Sequence, residues 1–375
     1  MSFPQLEDLP DIDGKRVLVR TDFNVPMSDG EIADDLRIRS ALPTLRWLQD
    51  RGAHITAMTH FGRPKGEPNP EFAIAPVQQR VDELLPGVDL MENLRFDPGE
   101  TSNDPDFVQR LIAGQDFYVN EAFGVAHRAH ASVVGPPQFL PSAAGRLLAN
   151  EIEILSEVRD NARRPFVAIM GGAKVSDKVA IIDCLAERVD TLLIGGAMAF
   201  TFFKAMGRNV GCSLVEDSMV DYARCLLEET DKNIVLPTDI RAIGPGGELF
   251  KPEVSSKIRH FSQDLPDDWM GVDIGPETAG NFSDIIAEAQ TVLWNGPLGV
   301  FEDARFEAGT KHIAQAVADS SAFTVIGGGD SASAAKQFGV AEKIDHVSTG
   351  GGAALELLEK GDLPGLRALR GEYDS

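Results

Sequence analysis

The feature that most constrains the fold of this sequence is a series of short, almost wholly apolar segments that lead into glycine. Strands that are apolar throughout are typical of a parallel sheet buried on both faces. Helix-like segments separate them, and this alternation predicts a parallel sheet covered by helices. In the second half of the chain the segments are FVAIMGG (166–172), TLLIGG (191–196), NIVLPTD (233–239), GVDIGP (271–276), TVLWNGP (291–297) and FTVIGGGD (323–330).

The first half of the chain shows the same alternation. Strand-like runs begin at residues 16, 54, 88 and 117, and helix-like segments cover 34–52, 75–85 and 105–113. A length of 375 residues favours two domains, each large enough for its own core. The sequence therefore predicts an α/β protein with two doubly wound, Rossmann-like parallel-sheet domains. The amphipathic segment 146–162 predicts a long helix joining domain 1–145 to a second domain that starts at 163.

Charge and cysteine content exclude several classes of protein. The net charge of −23 argues against nucleic acid or an anionic membrane as a partner. Neither a signal peptide nor a long apolar segment is visible, so we expect a soluble cytoplasmic protein. The acidic excess fits either an ordinary solvated surface or adaptation to high salt. Three widely spaced cysteines, Cys184, Cys212 and Cys225, predict buried thiols rather than a disulfide framework.

Basic side chains follow several of the strand-like runs in the first half. Ligands of open α/β sheets bind outside the carboxyl ends of the strands, so these cations predict an anion pocket. Two alternatives remain: a zinc site at His127 and His130, which Arg128 between them disfavours, and ordinary surface ion pairs. The stretches concerned are VLVRTDFN (17–24), ITAMTHFGR (55–63), LMENLRF (90–96) and YVNEAFGVAHRAH (118–130).

Glycine-rich stretches in the second half predict phosphate binding at helix N-termini. In GGAKVSDK (171–178), Lys174 and Lys178 are spaced to lie on one face at the start of a helix. GGGDSASA (327–334) fits a dinucleotide fingerprint, but Asp330 would repel a bare pyrophosphate and suits one that carries Mg²⁺. A nucleoside di- or triphosphate is therefore preferred over NAD. Any one of these glycines could also serve turn geometry alone.

The sequence resembles the phosphoglycerate kinase family over nearly its whole length. This resemblance implies reversible phosphoryl transfer between 1,3-bisphosphoglycerate and ADP, giving 3-phosphoglycerate and ATP with Mg²⁺. It also implies a C-terminal segment, 355–375, that returns to the first domain, so that the second covers 163–354. The matching stretches include VRTDFNVP (19–26), DDLRIRSALPTL (34–45), HFGRP (60–64), ENLRF (92–96), FGVAHRAH (123–130), GGAKVSDK (171–178), GGAMAFTFFKA (195–205), WNGPLGVFE (294–302), GGGDS (327–331) and STGGGAALELL (348–358).

The resemblance also implies a 3-phosphoglycerate site on the first domain. Asp22 and Asn24 would contact the hydroxyl and carboxylate end of the substrate, and Arg37 would reach the transferring phosphoryl group. His60, Arg63, Arg95, Arg128 and His130 would surround the other phosphate, with Arg20 nearby. The full set of substrate-binding residues is Arg20, Asp22, Phe23, Asn24, Arg37, His60, Phe61, Gly62, Arg63, Arg95, Arg128 and His130.

On the second domain the resemblance implies a nucleotide site. Asn295 and Lys178 would contact the phosphates, Glu302 the ribose, and Asp330 the Mg²⁺ ion. Ser331 stands where threonine is more usual, which keeps a hydroxyl group. The residues implied to bind nucleotide are Lys174, Lys178, Gly195, Gly196, Asn295, Glu302, Gly328, Gly329, Asp330 and Ser331, and those implied to be catalytic are Arg37, Lys174, Gly328 and Gly351.

Both groups that could act as nucleophile in this reaction, a carboxylate and a β-phosphate oxygen, are already deprotonated. The reaction thus needs positioning and charge neutralisation rather than a general base. With two ligands on two domains we expect hinge closure around a single cleft, and a monomer. Two rivals from other classes remain: a catalytically inactive two-domain binding protein, and an NAD-dependent dehydrogenase built on GGGDSA.

Overall fold

The structure, a computed structural model, describes residues 3–28, 30–229, 233–254 and 256–373. Residues 1 and 375, the outer limits of the predicted first domain, lie outside these ranges. The chain divides into two compact units, Met1–Leu155 with Gly352–Ser375, and Ser156–Gly351. Within the described ranges, no helix has the length and apolar character needed to span a membrane.

The first unit alternates strands and helices. They are β1 (Arg16–Arg20), β2 (Met27–Ser28), β3 (Glu31–Ile32), α1 (Leu36–Gln49), β4 (His54–Met58), α2 (Ala75–Leu84), β5 (Val88–Leu90), α3 (Gly99–Ser102), α4 (Pro105–Ile112), β6 (Phe117–Asn120), α5 (Ala131–Val134) and β7 (Ser142–Ala144). The parallel sheet has the order β5-β4-β1-β6-β7. The chain runs outwards from β1 to β5 and then continues on the other side with β6, so the sheet is doubly wound, with its switch point between β1 and β6.

The second unit repeats this plan after a long helix, α6 (Arg146–Asp160). Its elements, followed by the two C-terminal helices, are β8 (Phe166–Met170), α7 (Val179–Ala186), β9 (Thr191–Ile194), α8 (Met198–Ala205), α9 (Val220–Glu229), β10 (Asn233–Val235), β11 (Ile240–Ile243), β12 (Ile258–Phe261), β13 (Met270–Ile274), α10 (Pro276–Ala287), β14 (Thr291–Asn295), α11 (Ala308–Asp319), β15 (Phe323–Ile326), α12 (Gly329–Gln337), β16 (His346–Val347), α13 (Gly351–Lys360) and α14 (Pro364–Leu369). The parallel sheet has the order β10-β9-β8-β14-β15-β16, with its switch point between β8 and β14. The predicted fold class is confirmed.

One strand of the second unit lies outside the predicted sheet. The segment GVDIGP forms β13, which pairs antiparallel with β11 in a separate sheet of order β12-β11-β13. A short apolar run indicates a buried strand but does not identify its hydrogen-bonding partners. The prediction that this segment belongs to the parallel sheet is therefore wrong.

Each unit has its own hydrophobic core. In the first, Val19 of β1 and Leu45 of α1 are completely buried in one cluster. In the second, Trp294 of β14 packs with Phe282 of α10 and Ile313 of α11. Helix ends follow local chemistry: Asp104 accepts a hydrogen bond from the backbone N–H of Phe107 (2.9 Å) at the start of α4. The two doubly wound sheets are thus supported by separate cores.

The cysteines differ from the sequence-based expectation. Cys212 and Cys225 are exposed, Cys184 is half-buried, and none of the three takes part in a disulfide. Cys184 accepts a hydrogen bond from Nη1 of Arg188, one turn further along the chain (3.0 Å). The prediction that the thiols are buried is wrong. The spacing of cysteines in the sequence indicates whether they can form disulfides, but it does not show which face of a helix or loop each cysteine occupies.

Candidate active site

The first group of predicted site residues lies at the carboxyl ends of β1 and β6, the two strands beside the switch point. Arg20 is the last residue of β1, and β6 leads into the loop that carries Arg128 and His130. The crevice at such a switch point is where open α/β sheets bind ligands.

A cavity of about 440 Å³ in the first unit brings four of the predicted phosphate-pocket residues together. Its lining includes Arg63, Arg95, Arg128 and His130, and we call these four the basic pocket. Burial, followed by the neighbouring Arg128, lowers the pKa of Arg95 to about 10 and that of His130 to about 4. Positive charge concentrated in this way favours an anionic ligand.

Arg20 and His60 do not line this cavity but support it from inside the unit. Arg20 is completely buried: its Nε donates to Ser132 Oγ (2.7 Å) and its Nη1 donates to the Thr21 carbonyl. Its Nη2 lies 3.4 Å from Nδ1 of His60. Because a guanidinium group only donates, Nδ1 of His60 accepts and the ring proton lies on Nε2. Burial, followed by Arg20, lowers the pKa of His60 far below its ordinary value, so the ring is neutral.

Arg37, Asp22 and Asn24 form a second group next to the end of β1. Nη1 of Arg37 donates to Asp22 Oδ2 (2.9 Å) and to the carbonyl oxygen of Asn24 (3.3 Å). Oδ1 of Asn24 accepts from the backbone N–H of Gly62 (2.9 Å), whose own carbonyl accepts from Nη1 of Arg95 (2.8 Å). Oδ1 of Asp22 is buried without a hydrogen-bond partner among the described residues. An acceptor in this position suits a ligand hydroxyl group.

Phe23 and Phe61 occupy a different environment from the polar residues predicted beside them. Both side chains are buried in the hydrophobic core of the first unit. Their backbone N–H groups donate to Oγ1 of Thr59 (2.9 Å) and to Oδ1 of Asn93 (3.1 Å), respectively. The two phenylalanines therefore fix the ends of β1 and β4.

The loops after β8, β9 and β14 approach each other closely at the second switch point. The backbone N–H groups of Gly171 and Gly172 donate to the carbonyl oxygens of Asn295 and Pro297 (both 2.9 Å). Gly196 has φ +66°, and a Cβ atom there would lie 2.7 Å from the backbone nitrogen of Gly172. A side chain at Gly195 would in turn overlap Leu298. Only glycine permits this packing.

Lys178 is anchored in this loop assembly, whereas Lys174 is exposed. Nζ of Lys178 donates to the Gly171 carbonyl (2.7 Å) and to Asn295 Oδ1 (2.5 Å). Burial lowers the pKa of Lys178 to about 8, against the opposing effect of Asp330. The prediction that the two lysines share a helix face is wrong, because α7 begins only at Val179 and Lys174 precedes the 3₁₀ turn at Ser176–Lys178.

The start of α12 is fixed to the same loops. Nδ2 of Asn295 donates to the carbonyl of Gly327 (2.5 Å), and Oγ of Ser331 accepts from the N–H of Gly296 (2.5 Å). Gly328 caps the helix with φ +104°, and space around Gly329 is open. A side chain on Gly351, the first residue of α13, would lie 2.9 Å from Cα of Gly328. Two helix N-termini therefore lie side by side.

A cavity of about 280 Å³ opens beside these loops. Its lining includes the acidic Glu302 and Asp330 and the apolar Phe200 and Leu249. The sequence analysis missed the apolar wall, because part of it comes from β11 and β13, whose place in the fold the apolar pattern does not reveal. A cavity with one apolar wall and a rim of glycine-rich loops at helix N-termini suits a nucleotide.

Comparison with known proteins agrees with this geometry. The sequence matches the family described as phosphoglycerate kinase over residues 6–89 and 86–361. The phosphoglycerate kinase of Rubrobacter xylanophilus is 48% identical over 380 residues, which cover 95% of each chain. This chain belongs to the phosphoglycerate kinase family. The phosphoglycerate kinase of Thermosipho africanus is 46% identical over 389 residues, which cover 96% of each chain. The solved structure of phosphoglycerate kinase from Coxiella burnetii is 35% identical and has a TM-score of 0.90, with both chains fully covered.

Membership of the phosphoglycerate kinase family implies Mg²⁺, and the carboxylates at the second site are compatible with it. Asp330 lies exposed in the first turn of α12 and borders the cavity. Among the described residues, no three His, Cys, Asp or Glu side chains group together as a metal site. Mg²⁺ is commonly held by one or two carboxylates together with substrate phosphates. One accessible carboxylate fits an ion that arrives with the nucleotide.

The sequence analysis also missed polar residues of the first site. Lys65 and Thr101 line the same cavity as the basic pocket, and Glu100 and Ser132 lie buried behind it. The motif ENLRF stops four residues before Glu100, and a buried carboxylate in a short helix carries no pattern that distinguishes it from a surface acid.

Proposed function

We propose that this enzyme transfers a phosphoryl group reversibly between 1,3-bisphosphoglycerate and ADP, giving 3-phosphoglycerate and ATP. The observation that carries the proposal is the basic pocket, where three arginines and a neutral histidine from the segments that follow β4, β5 and β6 line one cavity. The non-transferring phosphate of 3-phosphoglycerate binds there, and Asp22 and Asn24 receive the hydroxyl and carboxylate end. The cavity of the second unit takes the nucleotide.

In the direction of ATP formation, an ionised β-phosphate oxygen of ADP attacks the acyl phosphate. The new bond joins this oxygen to phosphorus, and the bond from phosphorus to the acyl oxygen breaks to leave a carboxylate. No proton is transferred, so the protein contributes positioning and charge stabilisation. Arg37 and Lys174 provide positive charge that stabilises the phosphoryl group during transfer. The N-termini of α12 and α13, at Gly328 and Gly351, donate backbone N–H groups to its oxygens.

Several residues position the nucleotide rather than act on the phosphoryl group. Lys178 and Asn295 belong to one hydrogen-bonded assembly, which supports a role in holding the phosphates. Glu302 lies at the rim of the cavity, in reach of a ribose. Mg²⁺ held with the nucleotide at Asp330 would neutralise charge on the phosphate oxygens.

A coupled assay tests the proposal. ATP should form when the enzyme is mixed with both 1,3-bisphosphoglycerate and ADP. Isothermal titration calorimetry should detect binding of ADP and no binding of NAD. Failure to form ATP despite ADP binding would support an inactive binding protein, and NAD binding would support the dehydrogenase alternative. We also propose a cytoplasmic monomer, for which light scattering coupled to gel filtration should give the mass of one chain.

A further inference from the structure

A completely buried carboxylate lies behind the basic pocket. Glu100 belongs to α3, and its side chain is inaccessible to solvent. Its Oε2 accepts from the backbone N–H of Ser132 (3.0 Å), and its Oε1 accepts from the Ser132 hydroxyl group (2.7 Å). The same Oε1 lies 3.9 Å from Nη2 of Arg20 and 3.7 Å from Nδ1 of His130.

The hydroxyl group of Ser132 links this carboxylate to the buried arginine. Ser132 Oγ accepts from Nε of Arg20 and donates to Oε1 of Glu100. Arg20 is thus joined to Glu100 both through a shared hydroxyl group and by direct charge attraction. A buried charge is costly unless an opposite charge and hydrogen bonds compensate for it, and each of these two residues satisfies that need of the other.

The electrostatic influence of Glu100 reaches the basic pocket at Arg95. The arginines at positions 20 and 128 both lower the pKa of Arg95, and Glu100 and Asp22 act against them. Asp22 is itself engaged by Arg37. Glu100 thus approaches Arg20 and His130 from the buried side. An anionic ligand would instead face the arginines of the basic pocket from the cavity.

We propose that Glu100 is a built-in counter-anion of the basic pocket, which stabilises the arginines between catalytic cycles and weakens binding of the substrate phosphate. The proposal rests on the proposed function, because it takes that phosphate as the ligand. Glu100 is a positioning residue and does not touch substrate. By moderating the ground-state affinity it favours release of 3-phosphoglycerate without changing the charges that act on the transferred group.

The test compares Glu100→Gln, which removes the charge but keeps an oxygen for Ser132, with Glu100→Asp, which keeps the charge. Calorimetry measures binding of inorganic sulfate and of 3-phosphoglycerate. We expect Glu100→Gln to bind both anions about tenfold more tightly, since one opposing charge is removed a few ångströms away. Glu100→Asp should stay close to wild type. Glu121→Gln is the control for disturbing a buried glutamate without removing charge, because Glu121 is also completely buried, accepts from the backbone N–H of Leu147, and has a pKa that burial raises to about 8.

Thermal unfolding provides a second readout that does not depend on activity. Without anions, Glu100→Gln should unfold at a lower temperature than wild type, and added sulfate should narrow the gap, since sulfate replaces the missing charge. Weaker anion binding by Glu100→Gln would overturn the proposal and indicate that Glu100 only shapes the pocket. A variant that stays unfolded at every sulfate concentration would overturn it too. If the wild-type protein shows no kinase activity, the proposed function is refuted. The sulfate measurements would still decide the role of Glu100.

Discussion

Arg37 donates a hydrogen bond to Asp22 over 2.9 Å, although Asp34 and Asp35 lie immediately before its own helix. Asp35, at the start of α1, instead pairs with Arg39 and with Arg80. Arg37 thus pairs with Asp22 and not with Asp35 at the start of its own helix. Its guanidinium lies beside the residues that we assign to the substrate, and it is half exposed.

This placement leads to a prediction for Arg37. Arg37→Ala should lower kcat by roughly 10²–10³, the cost of losing one donor of a preorganised site, with little change in KM. Arg37→Lys should recover only part of the rate, because a point charge does not span two phosphoryl oxygens. Single-turnover kinetics gives the measurement, and Arg39→Ala, two residues along the same helix, is the control. A normal chemical step in Arg37→Ala would refute the role.

The arginines of the basic pocket should behave differently. Arg128 and Arg63 would hold a phosphate that does not react, so they bind ground and transition states equally. Arg128→Ala and Arg63→Ala should raise KM for 3-phosphoglycerate by about 10–100-fold, the worth of a charge-assisted hydrogen bond, and change kcat less. Steady-state kinetics measures this. Arg208→Ala, which removes a surface partner of Asp264, should leave both constants unchanged; a fall in kcat alone at Arg128 would contradict the assignment.

The free energy of unfolding should decrease as pH rises, because of two buried carboxyl groups. Burial raises the pKa of Glu121 in the first unit and of Asp273 in the second to about 8. Between about pH 4.3 and pH 8 the folded chain holds protons that the unfolded chain has released, so the free energy of unfolding decreases as pH rises. Above pH 8 this contribution no longer changes. Glu121→Gln and Asp273→Asn should each flatten the decrease in thermal midpoint; unchanged slopes in both variants would contradict it.

The acidic surface gives a prediction about salt. If the net charge of −23 reflects a high-salt habitat, the thermal midpoint should rise with KCl, because the screening length shrinks from about 10 Å at 0.1 M to about 3 Å at 1 M. The gain should be smaller near pH 4, where many carboxylates are protonated, and this serves as the control. A flat or falling midpoint in KCl leaves the interpretation of an ordinary solvated surface.

Hinge closure gives a further prediction, because the two ligands are assigned to different units. Small-angle scattering should show a smaller radius of gyration with 3-phosphoglycerate and nucleotide together than with either alone. We expect α6 and the segment near residue 350 to act as hinges. Equal dimensions in all four ligand states would argue against closure.

The sequence predicted the architecture well where the pattern was repetitive. Apolar strands that alternate with helices are compatible with few folds. The basic side chains after β1, β4 and β6 lie at the carboxyl edge of the sheet, where a doubly wound fold binds its ligands. The antiparallel position of β13 was missed because hydrogen-bonding partners depend on connections that an apolar run does not encode.

Individual side chains were harder to predict than strand ends. Lys174 and Lys178 have helical spacing, yet a loop and a 3₁₀ turn precede α7, so only Lys178 reaches the carbonyl oxygens. Arg20 was expected near the substrate, and its burial follows from Ser132 and Glu100, which are far from it in sequence. Contacts of this kind depend on tertiary structure, and local pattern does not report them.

The distribution of free thiols has a practical consequence. All three cysteines of the sequence lie within Ser156–Gly351, and Cys212 and Cys225 are exposed. Maleimide dyes and other alkylating agents will therefore modify the second unit and leave the first unit unlabelled. A fluorescent label on the native chain would thus follow one unit alone, and a single new cysteine in the other unit would complete a donor and acceptor pair.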